Sequence, residues 1–452
     1  MKLVYNVNDK PKFGQILVFA LQQLLAIMAA TITVPRIVGN GMSEVAALFG
    51  AGVGTLVYLL FTKFKSPVFL GSSFAFLPSL SAAFAGAVTV SAGYAGIILG
   101  AVLAGLTYVI FALIIKGFGT GWVNKLLPAV VIGPTVAIIG LVLSGNAIND
   151  LLTGAIDTTF SKFIGFLCGC VALFTTISFS VFGKKTLKMI PFVLGICAGY
   201  IVASIFTIIG SVSGNEALMI IDFSKFKNIV WVPEFTFVTA FKGFKDLFNS
   251  GKFFEYLLTI VIAYVPVAFV VFAEHIADHK NLSSIINKDL LEDPGLANTL
   301  LGDGVGSIAG ALFGGCPNTT YGESVGCVAI SGNASTITIF ATSIMAMVIS
   351  FFGPFATLLS TIPSCVMGGI CVALYGFICV SGLKMLQQVN LNENKNLFVV
   401  SVILVAGVGT KMIGELVFNT SGGTIKVTAV AFALFLGIIT NVICKRAKEE
   451  VE

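Results

Sequence analysis

Gly315-Cys316-Pro317-Asn318-Thr319-Thr320-Tyr321-Gly322-Glu323-Ser324-Val325-Gly326, residues 315–326, lies between two strongly apolar segments. It carries a proline, an amide, hydroxyls, three glycines and a carboxylate. A lipid-facing helix does not tolerate that mixture, because non-helical backbone at membrane depth survives only when buried in protein or lining a cavity. A carboxylate at that depth is costly and marks a functional site by default. The stretch reads as a broken helix: an extended piece, Pro317 to Tyr321, runs into a half-helix opening near Gly322 and Glu323. The start of that half-helix offers free N–H groups and a positive dipole end.

The whole chain has the composition that such a segment needs around it. Of 452 residues, 57% are hydrophobic and only 10% are charged, against about 25% charged in a soluble protein. This is a polytopic membrane protein, expected to be all-α. The net charge of +5 is small, and the lysines sit in short loops with no basic stripe for nucleic acid. The nine cysteines are scattered and show neither metal spacing nor a disulfide framework. No cofactor or metal is expected.

Apolar segments fall at 14–34, 45–62, 68–82, 93–115, 122–144, 160–182, 189–211, 254–277, 298–314, 317–332, 335–358, 363–383, 396–414 and 424–444, fourteen in all. The third and tenth are too short or too polar for full spans, which need about 20 apolar residues. An even count puts both termini on one side, and the positive-inside rule makes that side cytoplasmic. The inner loops then carry Lys63, Lys65, Lys116, Lys125, Lys184, Lys185, Lys188, Lys280, Lys288, Lys384, Lys395, Lys445, Arg446 and Lys448. Within the long outer connection 212–252, residues 235–248 form an amphipathic stretch suited to a membrane surface. Gly117-Phe118-Gly119-Thr120-Gly121 has no preceding strand, so it is a turn and not a nucleotide loop.

The third segment repeats the logic of the tenth. Pro67-Val68-Phe69-Leu70-Gly71-Ser72-Ser73-Phe74-Ala75-Phe76 also runs proline, extended-favouring residues, then glycine with small polar residues. Close packing through small residues would account for Gly71-Ser72-Ser73 alone. Matched seven spans later in an inverted half, interrupted segments point instead to a transporter binding site. The two extended pieces are expected to pair as short antiparallel β-strands, with the half-helix starts facing each other.

The eighth segment ends Ala273-Glu274-His275-Ile276-Ala277-Asp278-His279-Lys280. Asp278 lies four residues after Glu274, on the same helix face. His275, His279 and Lys280 fit a polar helix end at the cytoplasmic surface. Glu274, closing a long apolar run, does not. A zinc site lacks further ligands, a channel would need a continuous polar lining, and an enzyme an activated nucleophile.

Glu274-His275 with Asp278-His279, Lys288-Asp289-Leu290-Leu291, Asp293-Pro294-Gly295 and Pro317 through Glu323 together resemble the nucleobase–ascorbate transporter family, on the side of its bacterial uracil carriers. Leu21-Gln22-Gln23 with Ala30-Thr31, Gly71 through Phe76, Gly119-Thr120-Gly121-Trp122, Pro363 with Met367-Gly368-Gly369, and Leu374-Tyr375-Gly376 extend the resemblance over nearly the whole chain. It implies fourteen segments in a 7+7 inverted repeat. Core parts are 1–116 and 253–360, gate parts 117–211 and 361–445, with the connection 212–252 and a cytoplasmic tail 446–452. It implies import of uracil with protons across the bacterial cytoplasmic membrane, core moving against gate, in a homodimer formed through the gate. Xanthine, another purine or a related pyrimidine is the alternative cargo, and sodium the alternative ion. Carried over by position, Glu274 and Glu323 bind the substrate, Phe74 and Gly322 offer backbone N–H groups, and Ala30, Tyr321 and Tyr375 wall the pocket beside Ser73. Proton coupling falls to Glu274, Asp278 and His279. The chain departs from the family's pattern at Ser324, where Asn is usual, at Ser331, and at Asp278, where one uracil carrier has His.

Overall fold

The computed structural model describes residues 3–119, 128–184, 187, 190–227, 229, 231–387, 389–414, 416–420 and 423–449. The motif Gly119–Trp122, part of the 117–121 turn, Lys125, Lys185, Lys188 and the last three residues of the tail therefore lie wholly or largely outside the described residues. The chain opens with α1 (Phe13–Val38) and α2 (Glu44–Phe61), whose Ser43 cap accepts from the Ala46 N–H. Then come β1 (Leu70–Ser72), a single 3-10 turn, α3 (Leu77–Ala85) and α4 (Val90–Phe118). Three helices follow: α5 (Ala129–Leu151), α6 (Thr159–Phe182) and α7 (Pro191–Ser213). The connection carries α8 (Thr236–Asn249), and α9 (Phe253–Ile286) and α10 (Leu296–Gly314) lead to β2 (Asn318–Thr320) and α11 (Gly322–Ser331). The last third holds α12 (Thr336–Ile349), α13 (Gly353–Thr361), α14 (Ser364–Leu386), α15 (Asn394–Met412), β3 (Leu416–Thr420), β4 (Gly423–Val427) and α16 (Ala429–Glu449).

Among the described residues, ten helices are long and apolar enough to cross a membrane, or eleven if the bent pair α12–α13 is one span. Phe241, Phe254, Phe174, Val212 and Val405 are among many apolar side chains left on the outside, as a lipid-facing surface requires.

Several sequence expectations change. The eleventh segment is not straight: α12 and α13 meet at 84°. The eighth runs on to Ile286, so His275 and His279 do not end a helix at the surface; both are fully buried. Their ring nitrogens find protein partners, which a buried polar group needs. Nor is the chain purely helical. Besides β1 and β2, β3 and β4 pair antiparallel, with Leu416 opposite Val427, where a plain loop and the start of a helix were expected.

β1 and β2 pair antiparallel, with Leu70 opposite Thr320, Gly71 opposite Thr319 and Ser72 opposite Asn318. The Ser73 N–H extends the ladder to the Pro317 carbonyl at 3.0 Å. α2 and α10 hold this ribbon from behind. The Thr55 hydroxyl takes the Leu70 N–H at 2.9 Å, and the Asn318 amide donates to the Gly50 carbonyl at 2.9 Å. That reach depends on close helix approach: a Cβ on Gly50 would stand 2.4 Å from the Gly310 carbonyl oxygen, and one on Gly310 only 1.9 Å from the Asn318 amide nitrogen.

Gly310→Ala is therefore expected to push the Asn318 amide off Gly50 and wedge α10 from α2. Overpacking of this kind costs about 1–3 kcal/mol, read as a lower melting temperature of the detergent-solubilised protein. An unchanged melt would show that Asn318 yields without consequence.

Candidate functional site

A cavity of about 480 Å³ opens where the two broken segments meet α9, α5, α7 and α14. Ser73, Phe74 and Ala75 come from the first broken segment, and Thr319 through Glu323 from the second. α9 contributes Glu274 and Asp278, one helical turn apart on one face. Both half-helix starts thus abut one space, each bringing unpaired N–H groups and the positive end of a dipole. Three carboxylates face the same space. Hydrogen-bond donors and hydrogen-bond acceptors therefore stand together in an otherwise apolar wall of Val136, Ile139, Phe192 and Leu374.

Each polar group is positioned by a named contact. The Thr320 hydroxyl donates to Asp278 Oδ2 at 3.0 Å, tying β2 to α9. The Tyr321 hydroxyl donates to the Ser72 carbonyl at 2.6 Å, with its ring laid over Gly71, where a Cβ would stand 2.3 Å from that ring. Ser324 Oγ accepts from the Gln23 amide at 2.5 Å and from the Phe69 N–H at 3.0 Å. This one hydroxyl joins α1, the approach to β1 and the half-helix that carries Glu323.

Of the sequence-predicted residues, Ser73, Phe74, Glu274, Asp278, Tyr321, Gly322 and Glu323 come together on the cavity wall. Tyr375 is behind the wall, 2% exposed, with its ring edge-on to Phe74 at 6.1 Å. Ala30 is buried in α1, also off the lining. His279 turns the other way: its Nε2 meets the Tyr58 hydroxyl at 2.7 Å and its Nδ1 the His275 carbonyl at 2.8 Å. Beside it, His275 Nδ1 meets Asp303 Oδ2 at 2.7 Å and Nε2 meets Thr299 Oγ1 at 3.0 Å.

Sequence reading missed Asp303, although a carboxylate inside the apolar segment 298–314 is by itself a signal. It missed Lys384 as well. That lysine counted only as an inner-loop charge, yet with Met385 it lines the cavity at the far end of α14. Nothing short of the folded chain could have put it there.

A model of the Permease family matches residues 14–416. The chain is 37% identical to a uracil permease of Bacillus subtilis (strain 168), covering 99% of this chain and 97% of that one. It is 36% identical to a uracil permease of Bacillus caldolyticus, covering 98% and 95%. It is also 32% identical to one of Escherichia coli (strain K12), covering 97% and 94%. Among solved structures, the transmembrane domain of a cyanobacterium bicarbonate transporter, BicA, superposes with TM-score 0.62 at 15% identity, covering 96% of this chain and 99% of that one. The murine Solute Carrier 26 family member A9 anion transporter in the inward-facing state gives 0.63 at 12% identity, covering 97% and 70%. These likenesses are of fold.

Ser324→Ala removes the acceptor of a buried N–H and a buried amide. Each group left unpaired costs about 1–3 kcal/mol, so a drop in melting temperature is expected, with a second drop absent when Gln23→Ala is added. Additive losses would show that the two side chains do not act through one contact.

Proposed function

The chain belongs to the permease family, a family of transporters and not of enzymes, and from that premise we propose that it imports uracil with protons across a bacterial cytoplasmic membrane by alternating access. The observation that carries this reading is the convergence of Glu274, Asp278 and Glu323 with two half-helix starts on one cavity. Uracil is flat and neutral near pH 7, with two N–H donors and two carbonyl acceptors. Glu323 accepts one N–H group in a charge-assisted hydrogen bond, and the carbonyl oxygen of the Glu274 carboxyl accepts the other. Backbone N–H groups at Phe74 and Gly322 donate to the carbonyls, beside Ser73. The Phe74 and Tyr321 rings flank the base, and Tyr375 and Ala30 support that wall from behind.

Two glutamates in one site suit a neutral base and repel an anion. They also supply a coupling device. A carboxylate in a desolvated space costs most when charged and unpaired, so Glu274, with Asp278 a turn away, takes up the proton with the substrate and releases it inside. His279, directed to Tyr58, is left the supporting part of holding α9 against α2.

In architecture, the span-length helices, with the bent pair as one, are completed to fourteen by 74–85, 322–331 and 429–444, in two inverted halves of seven. The core (1–116 and 253–360) moves elevator-like against the gate (117–211 and 361–445). The connection 212–252 is outside, the termini and the tail 446–452 are cytoplasmic, and two copies associate through the gate.

Proteoliposomes test the reading. Labelled uracil is expected to accumulate under an inward proton gradient, and excess unlabelled xanthine to leave uptake unchanged. Uptake driven by sodium alone would reassign the ion, block by xanthine would widen the cargo to purines, and no uptake under either gradient would refute uracil. Glu323→Gln is expected to weaken uracil binding roughly 10- to 100-fold, the weight of one hydrogen bond to a charged group. Glu274→Gln should leave residual uptake blind to the proton gradient; uptake that stays gradient-driven would remove Glu274 from the coupling step.

A further inference from the structure

Cavity-lining residues on α14 run from Leu374 to Met385. The other half of the helix lines no part of this cavity: Cys365, Val366 and Ile370 are buried against α6 and α7. Ser364 and Lys384 lie roughly 30 Å apart along the axis at about 1.5 Å per residue. The cavity is therefore open toward one membrane face and closed toward the other.

Two cations converge at the closed face. Arg36, in the last turn of α1, donates through Nη1 to the Leu359 carbonyl at 2.8 Å and through Nη2 to the Ile362 carbonyl. Glu44 Oε1 lies 3.6 Å from Nη1 and orients the guanidinium. Lys225, from the connection, donates to the Ser360 carbonyl at 2.7 Å. All three carbonyls belong to the C-terminal end of α13 and the residue just past it, where a helix presents acceptors and a negative dipole end. α13 is the bent link that joins α12 to α14. Above it stands a second cavity of about 520 Å³, whose lining includes Glu44, Lys225, Glu234 and Ser360. That cavity reaches the Lys225–Ser360 contact, while Arg36, Leu359 and Ile362 are not on its wall.

We propose that Arg36, on the core, is the latch that keeps the closed face shut by holding the Ile362 carbonyl at the start of the gate part 361–445, with Lys225 reinforcing it at Ser360, and that Arg36 must release Ile362 before the substrate site can open to the second cavity. The proposal rests on the alternating-access reading above. Neither cation touches the substrate site; they act by biasing which face is open. Such a bias needs no ligand: it shifts the population of states by as much as these hydrogen bonds favour the closed one.

A cysteine placed at the latch itself, Ile362→Cys at a site 4% exposed, reports on its opening. The full-length protein carrying this change, reconstituted, is treated with a charged, membrane-impermeant maleimide, and modification at position 362 is followed by mass spectrometry. Arg36→Met, which keeps bulk and removes the donors, is expected to speed labelling roughly tenfold, the weight of one or two hydrogen bonds to a charged group. Arg36→Lys should restore most of the protection, and Lys225→Gln should give a smaller rise. Unchanged labelling in Arg36→Met and Lys225→Gln, both melting like the parent, would overturn the latch. If Arg36→Met does not fold, Lys225→Gln decides by the same criterion. Uracil counterflow is measured in parallel. Faster labelling in variants of a protein that carries no uracil would leave the latch standing and remove only the substrate.

Discussion

Backbone polar groups left unpaired against lipid are not tolerated at membrane depth, and everything at this site follows from how the chain meets that constraint. Two segments leave the helical pattern there, and each would be unstable alone. Paired over Leu70–Ser72 and Asn318–Thr320, they satisfy one another. Thr55, Asn318 and Ser307 close the remaining gaps with side-chain hydrogen bonds to neighbouring backbone. The close approach of α2 and α10 through Gly50 and Gly310 is what lets those short side chains reach.

The pairing has a chemical consequence. Where the ribbon ends, two helices begin, so backbone N–H groups are concentrated in one place within an apolar protein. Carboxylates on α9 and at the first turn of α11 stand opposite. Such a surface presents donors and acceptors in a fixed array to a small flat molecule that carries both. The aromatic rings of Phe74 and Tyr321 stand on the same wall, and Tyr321 is itself pinned by its hydrogen bond to Ser72. Ser324 stabilises the array from behind by joining Gln23 and the Phe69 N–H.

The two ends of α14 differ in their surroundings, and the proposed latch starts from this asymmetry. One end lines an open cavity down to Lys384 and Met385. The other is packed against α6 and α7, and follows the helix end held by Arg36 and Lys225. Hydrogen bonds from charged donors to carbonyls at a helix end are strong enough to hold a closed state. They are also few enough to be broken by a modest change in the balance elsewhere.

The class of the protein, the broken character of segments three and ten, and the isolation of Glu274 and Glu323 in apolar surroundings were legible in the sequence, because cost at membrane depth is a local property of residue type. The 3.6-residue period likewise put Asp278 on the face of Glu274 without any coordinates. Other features needed the tertiary fold. His275 and His279 read as a surface helix end until α9 proved to continue to Ile286 and Asp303, Thr299 and Tyr58 arrived from other helices as partners. Tyr375 and Ala30 were placed on the cavity wall by position in a motif, but packing set them behind Phe74 or away from the lining. Lys384 read as a loop-side charge, while the fold sends it to the mouth of the cavity, and only the fold brings Arg36 to the carbonyls of α13. Residue types and local periodicity declare which groups cannot be left alone in a membrane; which partners relieve them is decided by contacts between segments hundreds of residues apart, such as the 301 that separate Gln23 from Ser324.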